Sequence, residues 1–443
     1  MTEEAAASAS DGSPALKRTL GPVLIWALGV GYVISGMYFG WNLGLPEGGT
    51  LGMGIATAIV TVLYVTFVLA YAELGSAIPR AGGAFVYASR AFGERVGLLA
   101  GVAQWVEFVF APPAIAAAIG AYFQLFFPSV PKTALAIGAY VIFTAVNAWG
   151  VALSAMLELL LTVLAVGELL VYFAMTGPRV SYAALANDAL PHGAWGVFAA
   201  LPFAVWFYLG IEGITNVSEE AKRPERDIPR GFVMAMGTLV VLAFAVLICS
   251  AGIAGWPAVV YPPGGGEASD SPLPLALGQV VGPSHLLFHL LVLIGLFGLV
   301  ASFHGIVLAA GRVTMEFGRA GYLPRVLGRV HPKRRTPVPA LLLNMACGIV
   351  AILSGKTGDL INLSVLGALV LYALASLSMM RLRRSEPDLV RPFRVPLYPL
   401  VPIVAAALSV VCAASVVVAH PLVGLTFVGV VAVAFVRFLV ARR

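Results

Sequence analysis

Charge is what this sequence has least of. Only 11% of its 443 residues are Asp, Glu, Lys or Arg, while 60% are hydrophobic, and a soluble domain carries about a quarter charged residues. A water-soluble globular protein is therefore excluded, and a mean hydropathy of +0.94 places the chain in a bilayer. Cysteine is scarce too. Cys249, Cys347 and Cys412 lie inside apolar stretches at unrelated spacing, which argues against a disulfide framework or a metal site and reads as small buried thiols. No His/Cys/Asp set has metal-ligand spacing, and no Ser-His-Asp constellation falls on one membrane face, so enzymatic chemistry has no visible seat. A phosphate loop of the form Gly-x4-Gly-Lys-Ser/Thr is missing, which removes any sign of direct ATP coupling. The first fifteen residues lack the basic and apolar regions of a secretory signal, so residues 1–18 are expected to form a disordered cytoplasmic tail.

What is present in abundance is long hydrophobic runs. About twelve approach the ~20 residues that cross hydrocarbon. They cover 22–45, 54–78, 96–126, 133–149, 152–175, 195–216, 231–254, 286–314, 338–354, 360–380, 399–418 and 422–440. With a cytoplasmic N-terminus, this span count puts all of the 27 Lys and Arg on one side except Lys132, Arg179 and Lys356. That is the positive-inside asymmetry, and one missed or invented helix would scramble it. The expectation is a multi-pass protein with both termini cytoplasmic, and the net charge of +6 needs no nucleic acid to explain it.

Two spans are interrupted midway. Span one carries Gly29, Gly31, Gly36 and Gly40 among Ser35, Met37 and Tyr38, and span six carries Gly210 and Gly213 after Trp206, Phe207 and Tyr208. Interrupted helices in corresponding halves of a membrane protein point to a polar solute handled at the midplane, where unwound backbone replaces water. The interruptions divide the first ten spans into two halves of five, an inverted repeat. A ten-helix core over 19–380 is expected, with repeats at about 19–178 and 190–380, followed by a linker and two accessory helices over 381–443. The amphipathic cytoplasmic stretch Pro79 to Arg95 is expected to be a gate element or an interfacial anchor, and the Pro/Gly-rich loop 255–285 an outer lid or a linker.

Four segments carry a family resemblance. They are Tyr71-Ala72-Glu73-Leu74 with Pro79 to Tyr87 and Arg90 to Gly93; Gly210-Ile211-Glu212 with Glu219 to Pro229; Arg319 to Pro324 through Thr336 to Pro339; and Arg391-Pro392-Phe393-Arg394-Val395-Pro396. In this order they resemble the amino acid/polyamine/organocation transporter superfamily over nearly the whole chain. The resemblance implies an all-α leucine-transporter-like fold and secondary active transport by alternating access in the inner membrane. It implies no cofactor beyond an ion gradient, protons favoured over sodium, and no obligate protein partner besides the surrounding lipid. Ile34 to Thr50 and Glu107 to Ala116 further resemble the ethanolamine permease subfamily. In the amino-acid carriers helix one breaks at a Gly-Ser-Gly triplet that cradles the substrate carboxylate. Here those positions read Ser35-Gly36-Met37, which fits a solute without a carboxylate. An amino-acid or polyamine symporter or exchanger is the alternative.

A protonated amine needs acceptors or π-faces, and several residues could supply them. Glu107 lies mid-span in helix three, where a carboxylate costs at least ~2.5–3.5 kcal/mol unless it faces a cavity or partner, and the resemblance places it and Ala111 beside the substrate. Trp206 takes the place of an occluding aromatic in the family, with Phe207 and Tyr208 next to it. Carbonyls near Tyr208 to Gly210 would face a cation, and amides near Gly36 to Tyr38, at a half-helix N-terminus, a hydroxyl oxygen. Glu212 resembles a helix-six acid that couples protonation to gating in some relatives. Glu158 and Glu168 are further proton-coupling candidates; ten residues apart, they differ by about 80° around a helix, too far to form one site, and either could meet helix one or eight. Some proton-coupled relatives hold a Lys on helix five where Ala165 stands. His304, in helix eight, is the remaining titratable candidate.

Overall fold

Hydrocarbon offers the backbone no water, so apolar runs of this length close their N–H and C=O groups within themselves as helices. The computed structural model describes residues 18–79, 82–150 and 155–441. Among them the secondary structure is helical except for one isolated bridge. The principal helices are α1 (Pro22–Val33), α2 (Ser35–Tyr38), α3 (Leu45–Ala77), α4 (Gly83–Phe92), α5 (Glu94–Gln124), α6 (Lys132–Trp149) and α7 (Ala155–Thr176) in the first half. In the second half they are α8 (Gly193–Trp206), α9 (Pro224–Ala251), α10 (Leu286–Arg319), α11 (Val338–Leu353) and α12 (Thr357–Ser385), followed by α13 (Leu400–Ala419) and α14 (Pro421–Ala441).

Among the described residues, ten helices are long and apolar enough to cross a membrane. The two remaining expected spans are shorter. Span nine is the 16-residue α11, and span one is cut into α1, α2 and the 3-10 turn Trp41–Gly44. Span two begins before its expected start at 54, because α3 opens at Leu45, kinks at Gly49 and absorbs the end of span one. The expected N-terminal tail, except Arg18, falls outside the described residues, as do Arg80, Ala81 and the beginning of span five.

The two faces of the bundle are held differently. On the face rich in Lys and Arg, Glu73 at the end of α3 is 2% exposed. It accepts two hydrogen bonds from the guanidinium of Arg383 on α12, lies 3.5 Å from Arg391 and accepts the N–H of Val395 at 2.7 Å. This acid straps the linker between α12 and α13 to the core. The amphipathic α4 docks there on α5 and α12, burying Ala84, Tyr87 and Ala88. The bridge joins Leu20 to Ala221, and the N–H groups of Thr19 and Leu20 share the Glu220 carbonyl. The bases of the two interrupted spans are thus tied together.

On the opposite face, loop 255–285 folds into the short helices Pro257–Val260 and Pro272–Val281. Between them the Ser269 carbonyl accepts from Asn42, 2.8 Å away, and Asp270 pairs with Lys132 at 3.4 Å. Burial pushes the Asp270 carboxyl above its usual range, and Lys132 opposes that shift.

Candidate functional site

Span one stays helical further than its glycines suggested. Ile34 has helical dihedrals and its N–H bonds the Val30 carbonyl at 2.8 Å, so α1 runs almost directly into α2. The break comes at Phe39 and Gly40, where Phe39 is extended and Gly40 takes φ 90. Only glycine reaches that region without strain, and Gly210 uses the same freedom, φ 98, at the break of span six. The amides of Gly36 to Tyr38 therefore sit at the C-terminal end of the first half-helix, not at an N-terminus as expected. The Met37 N–H donates to the Ile34 carbonyl at 2.9 Å, and the Gly40 N–H is taken by the Asn42 side chain at 3.1 Å. In span six, α8 ends at Trp206, four residues carry the chain round, and Ile211–Glu220 continues as a 3-10 helix.

Between the helical part of span one and the break of span six lies a small cavity lined by Ser35, Glu107, Phe108, Ala111, Ile115, Trp206, Leu209, Gly210 and Ile306. Its free volume of about 10 Å³ is one water's worth, so the site is closed down. Ser35, Glu107, Ala111, Trp206 and Gly210 were expected there from the sequence and Leu209 falls within the expected carbonyl run Tyr208 to Gly210, while Phe108, Ile115 and Ile306 were not expected. Trp206 stands edge-on to Phe39 with ring centroids 5.4 Å apart, and its indole N–H has no partner among the described residues. One turn beyond Glu107, Pro112 and Pro113 have no N–H to give the carbonyls of Phe108 and Val109. That proline pair was the legible signal for this wall of the cavity.

The other expected site residues are engaged elsewhere. Gly36 packs on the Trp206 backbone, and the Met37 carbonyl accepts from the Trp41 indole at 3.2 Å. Phe207 stacks on Trp41, and the Tyr208 hydroxyl lies 2.7 Å from Thr61. Tyr38 donates to Glu168 at 2.8 Å and reaches the Ala165 carbonyl at 3.2 Å, which fixes Glu168 against span one. Glu158 packs against Gly31 lower on the same span. The two helix-five acids thus both meet helix one, at separate levels. His304 is held by Asn147 of α6, with 3.2 Å between the side-chain nitrogens.

Two acids remain at the centre. Glu107 is 1% exposed, and neither of its carboxyl oxygens has a donor among the described residues. Glu212, just past the second break, lies within hydrogen-bonding reach of it. The Tyr372 hydroxyl of α12 donates to Glu212 Oε2 at 2.7 Å, leaving Oε1 without a donor. Tyr372 in turn stands 3.3 Å from the Tyr64 hydroxyl, which reaches the Val205 carbonyl at the end of α8, also 3.3 Å away. Neither tyrosine was foreseen, because nothing local to either position marks it. A buried acid without donors invites a proton or a cation, since an uncompensated buried charge is costly.

Comparison with known proteins agrees with this architecture. The sequence profile of the amino acid permease family matches residues 20–438. An uncharacterized transporter of Rhizobium meliloti is 28% identical over 408 residues, covering 90% of this chain and 85% of the relative. The methylthioribose transporter of Bacillus subtilis is 27% identical, over 90% of this chain and 89% of its own length. The serine/threonine exchanger SteT of the same organism is 27% identical, over 88% and 89% respectively. With a multi-pass helical bundle, two interrupted spans and a closed cavity between them, the chain belongs to the amino acid permease family and is a membrane transporter, not an enzyme.

Proposed function

We propose that this transporter imports ethanolamine or a similarly small protonated amine across the inner membrane by alternating access, drawing on a proton gradient rather than a sodium gradient or a cofactor. The observation that carries the reading is Glu107: a buried acid on the cavity wall with no donor for either oxygen among the described residues. An ammonium group offers the charge and the N–H donors that such an acid lacks. The indole face of Trp206 adds an attraction of ~0.5–2 kcal/mol for a desolvated cation. The amides that would cradle a carboxylate are spent inside the chain, Met37 on Ile34 and Gly40 on Asn42. The hydroxyl of such an amine would find its partner in Ser35, whose own hydroxyl lies 2.9 Å from Ser302. The basic residues on one face favour both termini on the cytoplasmic side.

A second reading, an amino-acid carrier or exchanger, is favoured by the names of relatives such as the branched-chain amino acid permease BcaP and SteT. Uptake of labelled ethanolamine into proteoliposomes, under an imposed proton gradient and then a sodium gradient, separates the two. Uptake driven by protons and indifferent to amino acids is expected. Strong competition by serine, threonine or branched-chain amino acids would replace the amine reading with the second one.

A further inference from the structure

We propose that Glu107 and Glu212 act as one carboxyl pair that keeps a single proton, carried by Glu107 when the cavity is empty and handed to Glu212 when an ammonium group enters. The handover rests on the amine reading above; the shared proton does not. The argument begins with donors. Three of the four carboxyl oxygens, both of Glu107 and Oε1 of Glu212, have no partner among the described residues, and the fourth accepts from Tyr372. The titratable groups facing the pair are phenols, Tyr64 and Tyr71 on α3 and Tyr372 on α12. No described basic side chain forms an ion pair with either acid. Two bare carboxylates side by side, away from water, would repel with nothing to offset them.

One proton changes this accounting. Placed on Glu107 and donated to Glu212 Oε1, it satisfies two of the three bare oxygens at once. It belongs on Glu107 because the Tyr372 hydroxyl already supports an anion on Glu212. An arriving ammonium meets Glu107, which lines the cavity, whereas Glu212 stands behind it. The cation draws the negative charge forward. The O–H bond on Glu107 breaks, one forms on Glu212 Oε1, and Glu212 now donates back to Glu107. No proton leaves, and the filled site holds one cation and one anion, the neutral arrangement that a dry cavity favours. Tyr372 is a positioning residue here. With its own proton spent on Glu212 it can accept from the Tyr64 hydroxyl, 3.3 Å away, whose single proton is equally within reach of the Val205 carbonyl beside the break of span six, so Tyr64 must choose between the pair and that break.

Infrared difference spectroscopy of the full-length protein in liposomes at neutral pH reads the proton directly, because a protonated carboxyl has its own C=O band. Without amine, the wild type minus Glu107→Gln spectrum is expected to contain that band, and the wild type minus Glu212→Gln spectrum to lack it. Ethanolamine is expected to shift the wild-type band without diminishing it, and to release no proton into a lightly buffered medium. In Glu212→Gln the same addition should erase the band and release one proton per amine bound. Tyr372→Phe, an independent perturbation, should move the empty-state band by removing the donor that keeps the anion on Glu212. Proton release by the wild type, or the absence of the band from the Glu107→Gln difference, would overturn the proposal. If the empty-state bands behave as described and ethanolamine changes nothing, the substrate reading and the handover fall and the shared proton stands.

Discussion

Glu73 and Glu107 are equally buried, 2% and 1% exposed, and have opposite surroundings. Glu73, at one end of the bundle, is met by two guanidinium groups and a backbone N–H. Glu107, at mid-span, is met by none among the described residues. A buried acid with all its donors in place is a joint: its ionic partners come from α12 and the following linker, and losing it loosens both. A buried acid with no donor among the described residues calls for a proton or a cation, because an uncompensated buried charge is costly. Burial alone did not separate these residues; the donors around them did.

The sharpest way to break the comparison is Glu73→Gln. It leaves Arg383 and Arg391 without their shared anion, and removing one partner of a buried ion pair costs on the order of 3 kcal/mol. Thermal unfolding in detergent should fall clearly, and an unchanged midpoint would mean that the strap does not hold the linker. Glu107→Gln should do the reverse. Its amide can still donate to Glu212, so the melting temperature should stay near wild type, while ethanolamine affinity measured by calorimetry should fall about 10- to 150-fold, the worth of a charge-assisted hydrogen bond. Near-normal affinity would remove Glu107 from the site. The smallest effect is expected from Arg90→Ala. Arg90 pairs with Glu386 at 2.7 Å, but both side chains are about a third exposed. The hydrogen bond from Arg90 holds the Glu386 carboxyl below its usual range, yet exposed pairs contribute ~0–1 kcal/mol. A large loss of stability there would show that exposure, too, is a poor guide to which acids are joints.

Some of the site was legible residue by residue. Of the residues lining the cavity, Ser35, Trp206 and Gly210 lie in the interrupted spans, Glu107 is an acid that hydrocarbon tolerates only at a cavity or partner, and Ala111 came with Glu107 from the family resemblance. The glycines of span one misled. Gly29, Gly31 and Gly36 read as a break but serve close packing: a Cβ at these positions would strike Ile214, Glu158 and the Trp206 backbone respectively. A glycine that allows a turn and one that admits a neighbour look the same in sequence, and only the neighbour distinguishes them. Tyr38 was misplaced for a related reason, since its hydroxyl is claimed by Glu168 from a helix distant in sequence.

Hydrophobic run length, loop charge and ordered motifs by themselves determined that this is a multi-pass helical membrane protein of the amino acid permease family with two interrupted spans. They sufficed because hydrocarbon forces each run to satisfy its own backbone locally. The tertiary structure alone decided where span one breaks, that Glu107 and Glu212 meet, and that Tyr372 stands behind them. Those outcomes depend on which side chains four separate segments bring to one point, and no local rule of propensity or periodicity carries that information.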